Sequence, residues 1–225
     1  MQFLATSATA TATAVASSLS YAQPAHIQAQ HVNAPQAGME VTQMISRPNL
    51  PIEIAINLKY IFDHDLLLQD NFFSETRVEE IFNATEVAVI NSEEDTKKRV
   101  SVSATKFDAV FPPTSAVDLS SGSTKRATLW AGKTLHASGL ITAGLNFSME
   151  DGGPNFSECQ RIFGANFALI PSRPFMHGGP LPATALHGNE AWKFQVSTGK
   201  LKRDITLGFN PAGGLSAVVI GINQD

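Results

Sequence analysis

Hydrophobic and polar residues alternate with a period of two through much of the C-terminal third of the chain. Ile205, Leu207 and Phe209 fall on one side of an extended chain, with Thr206 and Gly208 on the other. Asn210-Pro211-Ala212-Gly213-Gly214 follows. Pro fixes φ there and the two Gly supply positive φ, so residues 205–223 read as a β-hairpin. The second arm starts by alternating and then turns apolar on successive positions at Val218-Val219-Ile220. That pattern predicts a central strand covered on both faces.

The same period recurs upstream. Ile52, Ile54, Ile56, Leu58 and Tyr60 alternate with polar or small residues, which predicts a strand over 52–60 after Pro48 and Pro51. A loop through Asp63-His64-Asp65 comes next. Ser74 then stands where a helix N-cap belongs, with Glu75 in the first turn and Val78, Ile81 and Phe82 at helical spacing. Residues 86–91 and 100–104 read as two strands joined by the charged turn 92–99, a hairpin. Residues 127–130 form a short strand, closed by a turn at Ala131-Gly132-Lys133. Residues 135–148 alternate over a long span, with Leu135, Ala137, Ile141, Ala143, Leu145 and Phe147 on one face. Residues 154–163 predict a second short helix closed by Gly164. Residues 171–188, rich in Pro, Gly and His, read as a long irregular loop, and residues 192–196 as a strand feeding the last hairpin. About eight strands against two short helices, without a βαβ rhythm, predict a mainly β fold: an antiparallel β-sandwich, jelly roll or related barrel.

Residues 1–48 differ from this pattern. Thr-Ala repeats over 8–14 lead into a Gln/Ala/His/Pro stretch over 23–36, and no charged residue precedes Glu40. Such a segment lacks the large apolar side chains for a core of its own. It reads as an extended N-terminal arm attached to a single β-rich domain over 49–225. Ser20-Tyr21-Ala22 resembles a small-x-Ala cleavage site, but the basic stretch of a secretory leader is missing and Thr and Ser dilute the apolar run. A secretory signal is therefore not the favoured expectation. No run of about 18 apolar residues occurs, so no membrane span is expected.

Charge narrows the functional classes. Only 16% of residues are charged, against about 25% in an ordinary domain, and the net charge is −4. No overall basic field exists to attract nucleic acid, and the arm carries no Lys or Arg before Arg47. Sequence-specific nucleic-acid binding is not expected, nor is an arm that neutralises packaged nucleic acid. The single Cys159 excludes an intrachain disulfide and a cysteine metal cage, and reads as a buried structural thiol.

The chemistry-bearing residues form no complete motif. Asp63-His64-Asp65 suggests metal or acid–base chemistry, yet neighbours in extended chain point to opposite sides, and a polar strand-end loop is the expected reading. His177 and His187 share the long loop at a spacing not diagnostic of a metal. Ser121-Gly122-Ser123-Thr124-Lys125 lacks the full Gly-x-x-x-x-Gly-Lys-Ser/Thr arrangement and the strand–helix frame of a phosphate loop. No Gly-x-Ser-x-Gly elbow is present. Glu79, Glu80, Glu150 and Asp151 read as solvated carboxylates. Asn83, Asn146 and Asn155 each begin an Asn-x-Ser/Thr acceptor, relevant in a glycosylating host. The basic clusters Lys97-Lys98-Arg99 and Lys200, Lys202, Arg203 read as solvated turns. No catalytic, cofactor-binding or metal residue is assigned, and no cofactor is expected.

A low-charge arm on a compact β domain, with a surface rich in Ser, Thr, Asn and Gln, suits extensive subunit contacts, where charged residues are depleted. The expectation is a non-enzymatic structural subunit of a virion capsid, tail or extracellular filament. Its partners would be copies of itself and other structural subunits, engaged through strand edges and arm exchange. The alternative is a secreted or surface binding module, for carbohydrate among other ligands, displaying Trp130 or Trp192. An enzyme using Asp63, His64 or His177 ranks below both.

Overall fold

A computed structural model of the 225-residue chain describes residues 38–112, 126–149, 152–171 and 187–225. His177, the 121–125 segment, Glu150, Asp151, most of the 171–188 loop and residues 1–37 of the arm lie outside them. Among the described residues three α-helices, α1 (Pro51–Asp63), α2 (Glu75–Phe82) and α3 (Phe156–Phe163), accompany eight strands. These are β1 (Ala88–Glu94), β2 (Lys97–Ala104), β3 (Thr128–His136), β4 (Ile141–Ser148), β5 (Ala168–Ile170), β6 (Ala191–Thr198), β7 (Leu201–Phe209) and β8 (Leu215–Gln224).

The strand expected over 52–60 is a helix, and this is the largest correction to the sequence reading. Pro51 sits in the first turn, where its missing N–H costs nothing. The Glu53 carboxylate accepts hydrogen bonds from the backbone N–H groups of Asn49 (2.7 Å) and Leu50 (3.1 Å), closing that end. Ile54, Ala55, Leu58, Ile61 and Phe62 are all buried, the spacing of one helix face. The alternation of Ile52, Ile56 and Tyr60 with these residues is a by-product of a helix flanked by partly buried apolar side chains.

α2 is capped by Ser74, whose side chain accepts from Arg77 N–H, and it ends at Asn83 in the left-handed region. α3 is capped by Asn155 and closed by Gly164 at φ 95°. Two 3-10 turns, Leu66–Leu68 and Asp70–Phe73, bridge α1 and α2.

All eight strands lie in one antiparallel sheet, in the order β1-β2-β3-β4-β8-β7-β6-β5. They are two four-stranded meanders, one following α2 and the other following α3, joined through their last strands. Sandwich and jelly-roll expectations called for a second sheet. Among the described residues the second layer is helical instead, and the sheet is open.

One sheet face carries the core. Val102, Ala131, Leu145, Ile220 and Ile205 form one cross-strand row, all buried. Phe147, between Leu129 and Val218 in the next row of that face, stacks with Phe82 at 5.4 Å and lies edge-on to Phe107 at 5.3 Å. From the same face Lys133 reaches Asp70 and the Leu68 carbonyl, and Arg203 reaches Asp65 (3.3 Å). The opposite face carries mostly small and polar residues, as in the row Gly132–Gly144–Gly221, with Trp130 and Val219 exposed on either side of Asn146.

β8 is central, as its apolar run predicts, but it is covered on one face only. Val218, Ile220 and Ile222 are buried, while Val219 between them is 41% exposed. One turn and one strand expectation also change. Ala131-Gly132-Lys133 lies inside β3, because Gly132 accommodates the Trp130 ring laid across it. The long run 135–148 breaks at residues 137–140, where Gly139 takes φ 86° and His136 N–H bonds to the Leu140 carbonyl.

Residues preceding α1 are tied to the helices. Met39 N–H donates to the Arg161 carbonyl and Arg47 N–H to the Glu80 carbonyl. Asn57, fully buried, donates to the Ile45 (2.8 Å) and Ile81 (2.7 Å) carbonyls and accepts from Ile45 N–H (2.8 Å). Every polar atom of this core amide is matched, which is the condition for burying it.

Candidate functional site

Two regions of the described surface carry unused binding capacity: the sheet edges and a groove beside α3. An edge strand points about half of its backbone N–H and C=O groups outward. β1 forms one edge, and all seven of its residues are exposed, including Val89 (38%) and Ile90 (62%). At the other edge β5 pairs with residues 191–193 of β6 only, so among the described residues the outer side of 194–198 has no strand partner. Leu169 and Ile170 of β5 are exposed as well.

The groove, of about 650 Å³, is lined by Asn155, Phe156, Ser157, Gln160, His187, Trp192, Ala212 and Gly213. α3 begins with Phe156, and β6 brings Trp192 beside it. The chain enters β6 with His187 at φ 68° and Asn189 at φ 55°, a tight turn that folds the imidazole back onto the Phe156 ring. The two rings stack at 3.7 Å and 3°. Trp192 lies 4.9 Å from Phe156 and 5.8 Å from His187, tilted against both. The Glu190 carboxylate fixes the set: one oxygen accepts from Trp192 Nε1–H (3.0 Å) and faces His187 Nδ1 (3.1 Å). With a proton on Nδ1, the imidazole donates to Glu190, and its Nε2 is left as an acceptor.

Comparison with protein-family models, curated proteins and solved structures finds no match.

The groove offers recognition chemistry. An aromatic wall beside Asn, Ser and Gln side chains suits a ligand with one apolar face and hydroxyl or amide edges. The nearest thiol, Cys159, is buried with its sulfur 3.7 Å from the Pro154 carbonyl, and burial pushes its pKa up to about 12. A protonated thiol is not a nucleophile, so Cys159 is a structural residue there. Ser157 Oγ donates to the Asn155 side chain (2.8 Å).

The sequence candidates separate in space. In Asp63-His64-Asp65, Asp63 pairs with Lys59 four residues earlier, and the His64 ring lies 4.0 Å from Tyr60. Asp65, in the left-handed region, pairs with Arg203. Each side chain has its own partner, and the three do not converge. Among the described residues no group of three or more His, Cys, Asp and Glu side chains could hold a metal ion. Glu80 pairs with Arg77. Glu93 and Glu94 answer Lys98 and Lys97, and Lys202 lies 3.9 Å from Asp225, so most of both basic clusters is balanced within the chain.

Of the three glycan acceptors, Asn83 donates to the Pro48 carbonyl and Asn155 caps α3, while Asn146 is exposed on the open sheet face. Trp130 is exposed on that same face, and Trp192 sits half-buried in the groove. Among the described residues no helix is long and apolar enough to cross a membrane.

Sequence reasoning passed over Phe156 and Glu190. The signal available was the spacing His187-x-x-Glu190-x-Trp192 at the start of a strand, which gives a carboxylate two ring N–H groups within reach. β1 runs on to Glu94 and β2 starts at Lys97, so only Asp95-Thr96 of the charged run 92–99 turns, where the charge pattern predicts a longer loop.

Proposed function

We propose that this protein is a structural, self-associating subunit of a larger extracellular or virion assembly, whose partners are copies of itself and other structural subunits. The observation that carries this reading is the open sheet. Eight strands end in an exposed β1 on one side and a three-residue β5 on the other, and neither edge is covered by another element among the described residues. Natural sheets that stay monomeric blunt such edges; those that associate use them as templates. The low-charge arm supports the same reading, because residues without ions to desolvate pack against neighbouring chains at little cost. On this reading the protein is not an enzyme and reads no nucleic-acid sequence.

Light scattering with negative-stain microscopy tests it, on the full chain and on a chain starting at Ala34. The expected result is particles, filaments or defined oligomers from the full chain, with smaller species after truncation. Concentration-independent monomers from both would overturn it.

A second reading, a surface-exposed carbohydrate-binding module, is favoured by one observation. Trp130 is 52% exposed and lies along the open face over Gly132, an indole platform beside Asn146. Glycan titration followed by tryptophan fluorescence tests it. Saturable quenching lost in Trp130→Ala supports it, and an unchanged spectrum across neutral oligosaccharides rules it out.

A further inference from the structure

We propose that β1 is the primary self-association edge, pairing antiparallel with β1 of a second copy across a two-fold axis and continuing the sheet through the joint. This deepens the assembly reading and rests on it.

The two edges are not equivalent. β5 is three residues long, and a very short strand is itself one of the devices that blunt an edge. β1 is seven residues long, about 24 Å of extended chain, without Pro or Lys, and its pairing with β2 runs through all seven residues without a register shift. Its first five residues, Ala88-Val89-Ile90-Asn91-Ser92, are uncharged, and Val89 and Ile90 expose apolar surface. An exposed edge of this length, with an uncharged run of five residues, is a pairing template.

Charge selects the occupant and the direction. The only charges in β1 are Glu93 and Glu94, at its C-terminal end, and each is answered within its own chain, by Lys98 at 2.6 Å and Lys97 at 3.1 Å. A parallel partner copy would lay four carboxylates side by side, which like-charge repulsion disfavours. An antiparallel copy sets them at opposite ends of the joint, against the uncharged Ala88 and Val89 of its counterpart. An isologous two-fold contact requires such self-complementarity, in which one surface serves both partners.

Full overlap of the seven-residue strands places Asn91 opposite its counterpart and Ile90 opposite Ser92. Opposed residues then have equal parity, so the helix-covered faces of both copies lie on the same side and the core face continues across the joint. Val89, on that face, sits opposite Glu93, whose stem covers it.

Cysteine crosslinking in the full-length chain tests this. Cys159→Ala removes the only cysteine, and single cysteines are then placed by Asn91→Cys on β1 or Leu169→Cys on β5. Both variants are treated with a short thiol crosslinker, beside light scattering of the unmodified protein. The expected result is a covalent dimer through position 91 and little through 169. A further expected result is at least ~10-fold weaker association for Ile90→Lys, with its circular dichroism spectrum kept. An associated protein that crosslinks at 169 and not at 91, equally at both, or at neither would overturn the β1 joint while leaving the assembly reading in place. A monomeric protein that crosslinks at neither position would overturn both.

Discussion

β8 and β1 are antiparallel strands of one sheet, and what lies beside them separates their roles. β8 is hydrogen-bonded on both sides, to β4 through eight residues and to β7 through nine. It buries Leu215, Val218, Ile220 and Ile222 under the helices. Among the described residues β1 has one neighbour, and none of its residues is buried. The pattern of apolar residues accounts for both. β8 places large side chains at every second position and puts Gly221 in line with Gly144 and Gly132 on the other face, so one side builds core and the other stays flat. β1 has two adjacent apolar residues and an acidic end, too little to anchor a helix above it. The centre therefore supplies stability, and the edge supplies a bare backbone template.

Substitutions that separate centre from edge sharpen this contrast. Phe147→Ala removes the ring that Phe82 and Phe107 pack against. It is expected to cost about 3–5 kcal/mol in chemical denaturation, with no change in how the remaining folded protein associates. A loss below ~1 kcal/mol would move the core away from β4. Asn57→Ala leaves the Ile45 N–H and the Ile45 and Ile81 carbonyls without their partner, and is expected to cost about 2–4 kcal/mol. A variant as stable as the parent would show that the buried amide is dispensable.

Cys159 gives the centre a pH signature. Its pKa rises from the ordinary 9.0 to about 12, mainly because burial penalises the thiolate and secondarily because of Glu158. The folded state thus holds its proton more tightly than the unfolded chain. Its contribution is complete below pH ~9 and is lost as pH rises toward ~12, at up to about 1.4 kcal/mol per unit. Denaturation of the parent and of Cys159→Ala across this window checks the point: the parent should lose stability more steeply, and equal slopes would contradict a buried, protonated thiol. The smallest effect belongs to the edge. Ile90→Lys should leave folding stability within ~0.5 kcal/mol while weakening association, and a large folding defect would mean that β1 is part of the core.

Much of the sheet is legible in the sequence because its information is local. The hairpin of residues 205–223, with Pro and two Gly in its loop, and the Ser74 cap each announce themselves within a few residues. The helix α1 is harder, because Ile52, Ile54, Ile56, Leu58 and Tyr60 satisfy a period of two as well as helical spacing. The deciding features are Pro51 in the first turn, Glu53 reaching back to two free N–H groups, and the continuation to Ile61 and Phe62. Whether the strands close into a sandwich or stay open is not local. It depends on α1, α2 and α3 covering one face, and misreading α1 as a strand removes a third of that layer. The groove is equally non-local, since Phe156 and Trp192 meet only through the docking of α3 beside β6. Asp63-His64-Asp65 shows the reverse case, a suggestive triplet whose members find separate structural partners.

Hydrogen exchange at two protein concentrations tests the central contrast most directly. At low concentration, amides of residues 88–94 that do not bond to β2 should exchange at nearly the unprotected rate, while those of β4 and β8 stay protected. At high concentration the β1 amides should become protected and the centre should not change. Fast exchange in β1 at every concentration would contradict an edge built for association.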